Sequence, residues 1–453
     1  MHVSRSRRAF LEAALRGAGF ALAARSGLVD LVAQGSSPAR RLIVHSARPQ
    51  DLETPVHLLT SWITPNDLFY IRSHFYTPAV REETWRLQID GEVATPLTLT
   101  MDALMRLPAK TMPVTLECAG NGRGYYDPPV AGVPWRKGAV GTARWTGVPL
   151  ADVLTKAGLK QTAQFVWADG ADVGLGHAPD FIRSVPIDKA LRGDVLLAYA
   201  MNGERLPPSH GFPLRLIVPG WEGAYSVKWL THITASDRNH PGPFVTSSYR
   251  VPRSPVVPGS LVAAADTVPI RGLMVKSIIT TPAPTAVLSR GAAVTISGFA
   301  WGGEQDIERV EVSTDSGRTW KAATLGDDRA RYTWRTFALP WVPDDPGPQT
   351  LLSRATDAGG RTQPMNGEWN PGGYLWNGVD RVQVQVAAPY EAARAEQTLK
   401  SRCTVCHDTD LIDAQRLDAE GWKRELAKMQ GWGANLSPEE HELLVNHLVQ
   451  RAK

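Results

Sequence analysis

Met101, Leu104 and Met105 recur at helical steps after Thr100, and the run ends at Leu107 before Pro108; this predicts a short helix over 100–107. Leu150, Val153, Leu154 and Ala157 make a second apolar stripe, closed by Gly158. Between these helices the period changes. From Trp85, Leu87 and Ile89 alternate with Gln88 and Asp90 up to Gly91, which reads as a strand ending in a turn. The run Leu214–Val218 is apolar throughout and lies between Pro213 and Pro219-Gly220, as a buried strand would. Residues 36–245 therefore read as an α+β domain.

Residues 241–269 are proline-rich and read as a connection. From about 270 to 388 the pattern is period two alone, in Ala293–Ala300, Arg309–Ser313, Tyr332–Phe337 and Val382–Val386, with a turn at Asp315–Arg318. Several short strands at this density predict an all-β, immunoglobulin-like sandwich over 246–388, linker included. From about Tyr390 the chain turns helical and charged. Ser437-Pro438-Glu439-Glu440 is a capping box that opens a helix through Leu443, Leu444, Leu448 and Val449. Residues 389–453 thus form a small all-α unit.

Composition narrows the function classes. The 453 residues suffice for two or three domains, and 43% hydrophobic with 21% charged residues is ordinary for a globular chain. A net charge of +4, spread along the sequence, argues against a nucleic-acid binder. No long apolar run follows the N-terminus, so no transmembrane span is expected in the mature chain. Fifteen tryptophans point to large packed pockets.

The N-terminus reads as an address. Arg7-Arg8, Phe10-Leu11 and a weakly apolar run from Ala13 to Ala24, broken by Arg16, Gly17 and Gly19, resemble a twin-arginine export signal. The competing reading is a basic amphipathic helix. The expectation is a leader over 1–35 and a periplasmic protein, exported folded with its cofactor already in place.

The three cysteines, Cys118, Cys403 and Cys406, cannot form a disulfide framework. Cys403-Thr404-Val405-Cys406-His407 has the C-x-x-C-H spacing of covalent c-type haem attachment: two thiols reach the two vinyl groups and His407 lies under the iron. A redox C-x-x-C and half a zinc site are the alternatives. Met429, between Trp422 and Trp432, is the expected sixth iron ligand, with His441 and His447 as competitors. A unit this small needs a staple, and a haem supplies one, which makes 389–453 a cytochrome c domain.

Cys118 stands alone between the apolar Val114–Leu116 and the turn Ala119-Gly120-Asn121-Gly122-Arg123. A lone cysteine can be inert, a nucleophile or a metal ligand. The glycines and Arg123 make an open, electropositive setting that favours thiolate and accepts an anion.

Several blocks, in order, resemble the sulfite oxidase family of molybdenum enzymes over about residues 50–388: Phe69–His74, Cys118–Asn121, Gly141–Gly147, Leu197–Gly203, His210–Arg215, Ser226–Trp229 and Ser313–Trp320. The resemblance implies a molybdopterin-binding domain at 36–245, a dimerisation sandwich and a homodimer. It implies that Cys118 ligates molybdenum. It places Tyr70, Arg72, His74, Asp169, His210, Arg215, Ser226 and Lys228 around the pterin and its phosphate, Asp169 through its spacing from Phe165. It places Arg72, Arg123 and Tyr249 at the oxyanion pocket. Two departures stand out: Gly122 replaces the first of two arginines, and Ser73 replaces the asparagine of the R-N-H block.

The combined expectation is an exported molybdohaem enzyme that oxidises sulfite to sulfate and passes electrons singly through its haem to an external cytochrome c. The rivals are a sulfane-sulfur dehydrogenase of a thiosulfate-oxidising system, a sulfoxide-type reductase, and an electron-transfer module with a vestigial molybdenum site.

Overall fold

The computed structural model describes residues 42–387, 392–405 and 408–451. The expected leader with Arg7-Arg8, and Cys406 and His407 of the haem motif, lie outside the described residues.

The first domain is α+β, as its alternating periods predict. One mixed sheet runs in the order Leu97–Leu99, Leu87–Gly91, Leu230–Ser236, Phe165–Gly170, Arg183–Pro186, with only the Leu87–Gly91 and Leu230–Ser236 pair parallel. A second, antiparallel sheet runs Glu204–Arg205, Leu196–Met201, Val140–Pro149, Lys110–Glu117, with Arg215–Ile217 also paired to Leu196–Met201. The predicted helices are Met101–Met105, capped by the Thr100 hydroxyl, and Leu150–Lys156, followed by Gly158 at φ +68°. Their apolar stripes (Leu104, Leu150, Val153, Leu154) share one core with Leu87, Ile89, Val166 and Ile233 of the mixed sheet. A small sheet of Ile43–Ala47, Gln50–Glu53 and Ile71–Arg72 completes the domain, with Asp51 opposite Arg72.

The proline-rich connection is more ordered than composition suggests. It contains the helical turn Pro243–Thr246 and an antiparallel pair, Arg250–Pro252 with Thr267–Pro269. The expected sandwich follows. One sheet is Lys276–Thr281, Val294–Trp301, Arg335–Trp341, Thr324–Leu325; the other is Val287–Ser289, Asp380–Ala387, Gly347–Asp357, Ile307–Ser313, Lys321–Ala322. Their facing residues, Ile279, Ile296, Val310, Leu351 and Val382 among them, form a shared core.

One strand is displaced from its expected place. Alternation put it at Tyr332–Phe337, but it spans Arg335–Trp341. Tyr332 sits at φ +67° and turns back to the first domain, where its hydroxyl bonds Asp194 (2.5 Å) and its carbonyl accepts from the Thr115 N–H (2.9 Å). The tertiary contact overrides the local period.

The two domains are bolted together beside Cys118. Glu117, buried between them, accepts from Lys276 Nζ (2.5 Å) and Asn121 Nδ2 (2.9 Å) on one oxygen and from Trp301 Nε1 (2.9 Å) on the other. Lys276 also donates to the Asn121 carbonyl (3.0 Å).

The C-terminal segment is helical, as expected: Ala392–Arg402, Thr409–Asp413, Ala419–Gly431 and Pro438–Arg451. The predicted capping box is present, with Glu440 N–H to Ser437 Oγ at 3.1 Å and Ser437 N–H to Glu440 Oε2 at 2.8 Å.

Removing one partner of a buried ion pair strands the other. Lys276→Met is therefore expected to destabilise the folded chain by about 3–5 kcal/mol. Adding Glu117→Gln should recover more than half of the loss. Denaturant unfolding of the three proteins checks this, and a single variant unchanged within about 1 kcal/mol would contradict the interdomain role.

Candidate functional site

A cavity opens where the strand Lys110–Glu117 ends and the chain turns at Cys118. Nine of the residues expected from sequence line it: Tyr70, Arg72, His74, Cys118, His210, Arg215, Ser226, Lys228 and Tyr249. They come from distant stretches, brought together by the small sheet, the end of the Lys110–Glu117 strand, the His210–Trp229 loops and the connection after the first domain.

The Cys118 turn is held at every step. Cys118 N–H donates to the Ala139 carbonyl, Asn121 N–H to the Cys118 carbonyl, and Asn121 Oδ1 accepts from Ala139 N–H (3.1 Å). From the sandwich, Leu375 N–H donates to the Ala119 carbonyl (2.8 Å). Gly122 adopts φ +95°, and a Cβ there would meet Trp376 Cδ1 at 2.5 Å. Trp376 thus fills the space that a side chain at position 122 would need, which explains structurally why no arginine stands there.

The expectation that the turn favours thiolate is corrected. Burial pushes the Cys118 thiol up, and the opposing charges of Arg72 and Arg123 do not overcome it. The thiol is uncharged unless a cation binds its sulfur, since a coordinating metal deprotonates a thiol outright.

Cations dominate the walls. Arg72, Arg215 and Lys228 face the cavity against one lining carboxylate, Asp172. Arg72 is anchored through Nη1, which bonds Asp51 Oδ1 (3.1 Å) across the strand register and the Ser73 carbonyl. Arg215 is 5% exposed and touches only neutral groups: the carbonyls of His210 (2.9 Å) and Ser226 (3.0 Å) and the Trp145 ring at 4.9 Å. Its Nε is buried without a hydrogen-bond partner among the described residues. Burial lowers its pKa to about 10. Lys228 Nζ donates to Ser73 Oγ (2.8 Å) and the Ser209 carbonyl (2.9 Å), so the serine that departs from the R-N-H block is a lysine acceptor. Burial, then the Arg215 charge, drives Lys228 well below its ordinary range.

Both histidines are neutral. His210 is pushed down to about 3 by burial, Arg215 and Lys228, and its Nε2 lies 3.3 Å from the Asn66 carbonyl. His74 is likewise lowered by burial and by Arg72. It stacks on Phe181 at 4.1 Å and bonds the Tyr249 hydroxyl at 2.9 Å. Burial raises both Tyr249 and Tyr70, so both phenols keep their protons.

Two expected residues lie elsewhere. Arg123 does not line this cavity. Its guanidinium is packed against the backbone of Gly120, Gly132 and Gly373, donates to the carbonyls of Val133 and Gly372 (3.2 Å each), and covers the Tyr374 ring at 5.3 Å. Glycines too small to exclude it, and carbonyls from two segments, draw it away. Asp169 does not line the cavity either; it projects from the half-buried face of Phe165–Gly170, Cα-paired with His232. The carboxylate at the wall is Asp172, three residues on. Spacing from Phe165 does not distinguish Asp172 from Asp169.

In the C-terminal helices Cys403 packs against the apolar core of Leu399, Trp422, Leu426 and Leu444. Met429 is half-buried on Ala419–Gly431. Its competitors are engaged: His441 Nδ1 with Gln430 Oε1 (2.7 Å), His447 Nε2 with Glu396 Oε2 (2.9 Å).

The surplus of buried cations, the orphaned Arg215 Nε and a lone sulfur at the cavity's end fit a polyanionic group carrying a soft metal. In such a group Arg215, Lys228 and His210 would face the anionic part and Cys118 the metal.

Comparison with known proteins agrees. The family described as oxidoreductase molybdopterin binding domain matches residues 74–244, and that described as Mo-co oxidoreductase dimerisation domain matches 267–387. Sulfite oxidase of Gallus gallus is 39% identical over 351 residues, covering 74% of this chain and 76% of its own. Mitochondrial sulfite oxidase of Rattus norvegicus is 37% identical, covering 77% and 66%. Among solved structures, the sulfane dehydrogenase SoxCD from Paracoccus pantotrophus superposes with a TM-score of 0.67 at 31% identity, covering 76% of this chain and 88% of that one. A cationic cavity ending at Cys118, two matched domains and relatives this similar together place the chain in the sulfite oxidase family of molybdenum oxidoreductases.

Proposed function

We propose that this chain is an exported, homodimeric sulfite dehydrogenase that carries a molybdenum–pterin group and a covalent c-type haem and delivers electrons to an external cytochrome c in the periplasm. The observation that carries the substrate class is the Arg72 guanidinium, pinned by Asp51 in the wall of a cavity that ends in Cys118. Sulfite is an oxyanion, and a dry site must supply its counter-charge. The dimerisation-domain match supports the homodimer. Among the described residues no helix is long and apolar enough to cross a membrane. Export rests on the Arg7-Arg8 pattern, and the haem on the C-x-x-C-H motif. The engagement of His441 and His447 supports Met429 as sixth ligand.

When bound, the molybdenum group supplies two-electron oxidation of the sulfur and the haem a one-electron exit. The chain's own residues do the rest. Arg72, pinned through Nη1 to Asp51, presents its remaining N–H groups to the oxyanion in a fixed orientation. Tyr249 and His74, both uncharged, add hydrogen bonding without adding charge. Lys228 and Arg215 neutralise the anionic cofactor and keep it at the sulfur of Cys118.

A second reading, a sulfane-sulfur dehydrogenase, is favoured by two observations. Arg123 is turned out of the cavity and Trp376 occupies the space beside Gly122, so fewer charges face the substrate than the family pattern implies. The likeness to the Paracoccus sulfane dehydrogenase points the same way.

Two variants test the proposal. Cys118→Ser should keep its haem spectrum while sulfite-driven cytochrome c reduction falls by at least about a hundredfold. Turnover near that of the parent protein would sink the assignment of Cys118. Arg215→Gln removes a charge-assisted contact to the cofactor, so bound molybdenum should fall about tenfold at limiting cofactor. Elemental analysis checks this, with haem absorbance as the internal standard; full molybdenum loading would contradict the role of Arg215.

A further inference from the structure

Behind the cavity wall lies a charged pair that the proposed chemistry does not use. Arg183 Nη2 is 3.3 Å from Glu222 Oε1, and the side chains are 2% and 0% exposed. A buried pair of this kind is often no more stabilising than apolar residues of equal volume, so stability alone does not account for it.

The pair is rigidly built. Glu222 Oε2 accepts from Ala224 N–H (2.8 Å), and Glu222 N–H donates to the Arg271 carbonyl (2.8 Å). Arg183 Nη1 donates to the Phe244 carbonyl. The guanidinium then lies between two phenol rings: its Cζ is 4.2 Å from the Tyr225 ring centre and 4.6 Å from that of Tyr249. Tyr225 is itself fixed by a hydroxyl bond to the Ile270 carbonyl (3.0 Å).

Tyr249 is the member of this stack that reaches the cavity. Its backbone is at φ +57°, a left-handed conformation that a bulky side chain adopts only when its surroundings impose it. Tyr374 stacks on its ring at 5.4 Å, and its hydroxyl meets His74 at 2.9 Å. Arg183 does not line the cavity.

We propose that Arg183, locked by Glu222 and sandwiched between Tyr225 and Tyr249, is a positioning residue: it holds Tyr249 in its left-handed conformation and thereby fixes the phenol hydroxyl against His74 at the wall that receives the oxyanion. The function of that hydroxyl rests on the sulfite reading above, whereas the clamp itself is a structural statement. Planarity matters, because a guanidinium stacks on rings and hydrogen-bonds in its plane at once, and an ammonium does not.

The test uses the purified holoenzyme and two readouts. The first is the crystal structure of Arg183→Met/Glu222→Gln, which removes both charges and so leaves none stranded. Tyr249 should leave the left-handed region and its hydroxyl should part from His74. Retention of φ near +57° with the hydroxyl still within about 3.2 Å of His74 overturns the proposal, whatever the substrate. The second is steady-state kinetics with sulfite. Arg183→Met should lower kcat/KM about tenfold, mostly through KM, with Arg183→Lys recovering little. In a Tyr249→Phe background, which has no hydroxyl to misplace, Arg183→Met should add less than about twofold. Losses that multiply across the two sites would overturn a role exerted through Tyr249. Absence of sulfite turnover in the parent protein would instead refute the sulfite reading, and the crystal structure would still decide the clamp.

Discussion

The site depends on a single carboxylate. Glu117 immediately precedes Cys118, and its two oxygens take donors from the sandwich (Lys276, Trp301) and from the Cys118 turn (Asn121). Buried charge tolerates little displacement, because any partner lost leaves a stranded ion. The sulfur's position is thereby referenced to both domains. Trp376 against Gly122 and the Leu375–Ala119 hydrogen bond reinforce the same junction. The sandwich therefore helps build the site, whatever it also contributes to pairing of two chains.

Against that fixed sulfur the cavity presents mostly positive charge. Arg215 is buried among carbonyls and a tryptophan face, Lys228 among a hydroxyl and a carbonyl, and among the described residues Asp51 and Asp172 are the carboxylates set against the three cations. Desolvating these charges is costly, and the cost is offset when a polyanion binds. Burial first, and the same cations second, keep His74 and His210 neutral. Buried cations of this kind favour an anionic cofactor and an anionic substrate over neutral competitors.

What the sequence revealed follows a physical division. Cys118, Arg72, His74, Arg215 and Lys228 sit in short blocks whose local backbone carries them to the cavity, so motif and position coincide. The helices at Met101 and Leu150 and the capping box at Ser437 are set by nearest neighbours and were legible for that reason. Arg123 was not: its direction is decided by Gly132, Gly373 and the carbonyl of Gly372, far along the chain. Asp172, which lines the cavity, was not singled out, because it stands three residues beyond the spacing that pointed to Asp169. The strand expected at Tyr332 moved because Asp194 and Thr115 of the other domain capture that tyrosine. The Glu117–Lys276 bond joins residues 159 apart in the chain and leaves no local trace.

The central proposal is that one chain couples an oxyanion-oxidising molybdenum site to a haem of its own. Anaerobic stopped-flow absorbance of the purified protein, mixed separately with sulfite, thiosulfate, a protein-bound sulfane sulfur and a sulfoxide, tests it most directly. The account predicts that sulfite reduces the haem within a single turnover while the other compounds leave it oxidised on that timescale. Haem reduction by the sulfane carrier and not by sulfite would contradict the substrate assignment. A haem that stays oxidised with every donor would contradict the coupling itself.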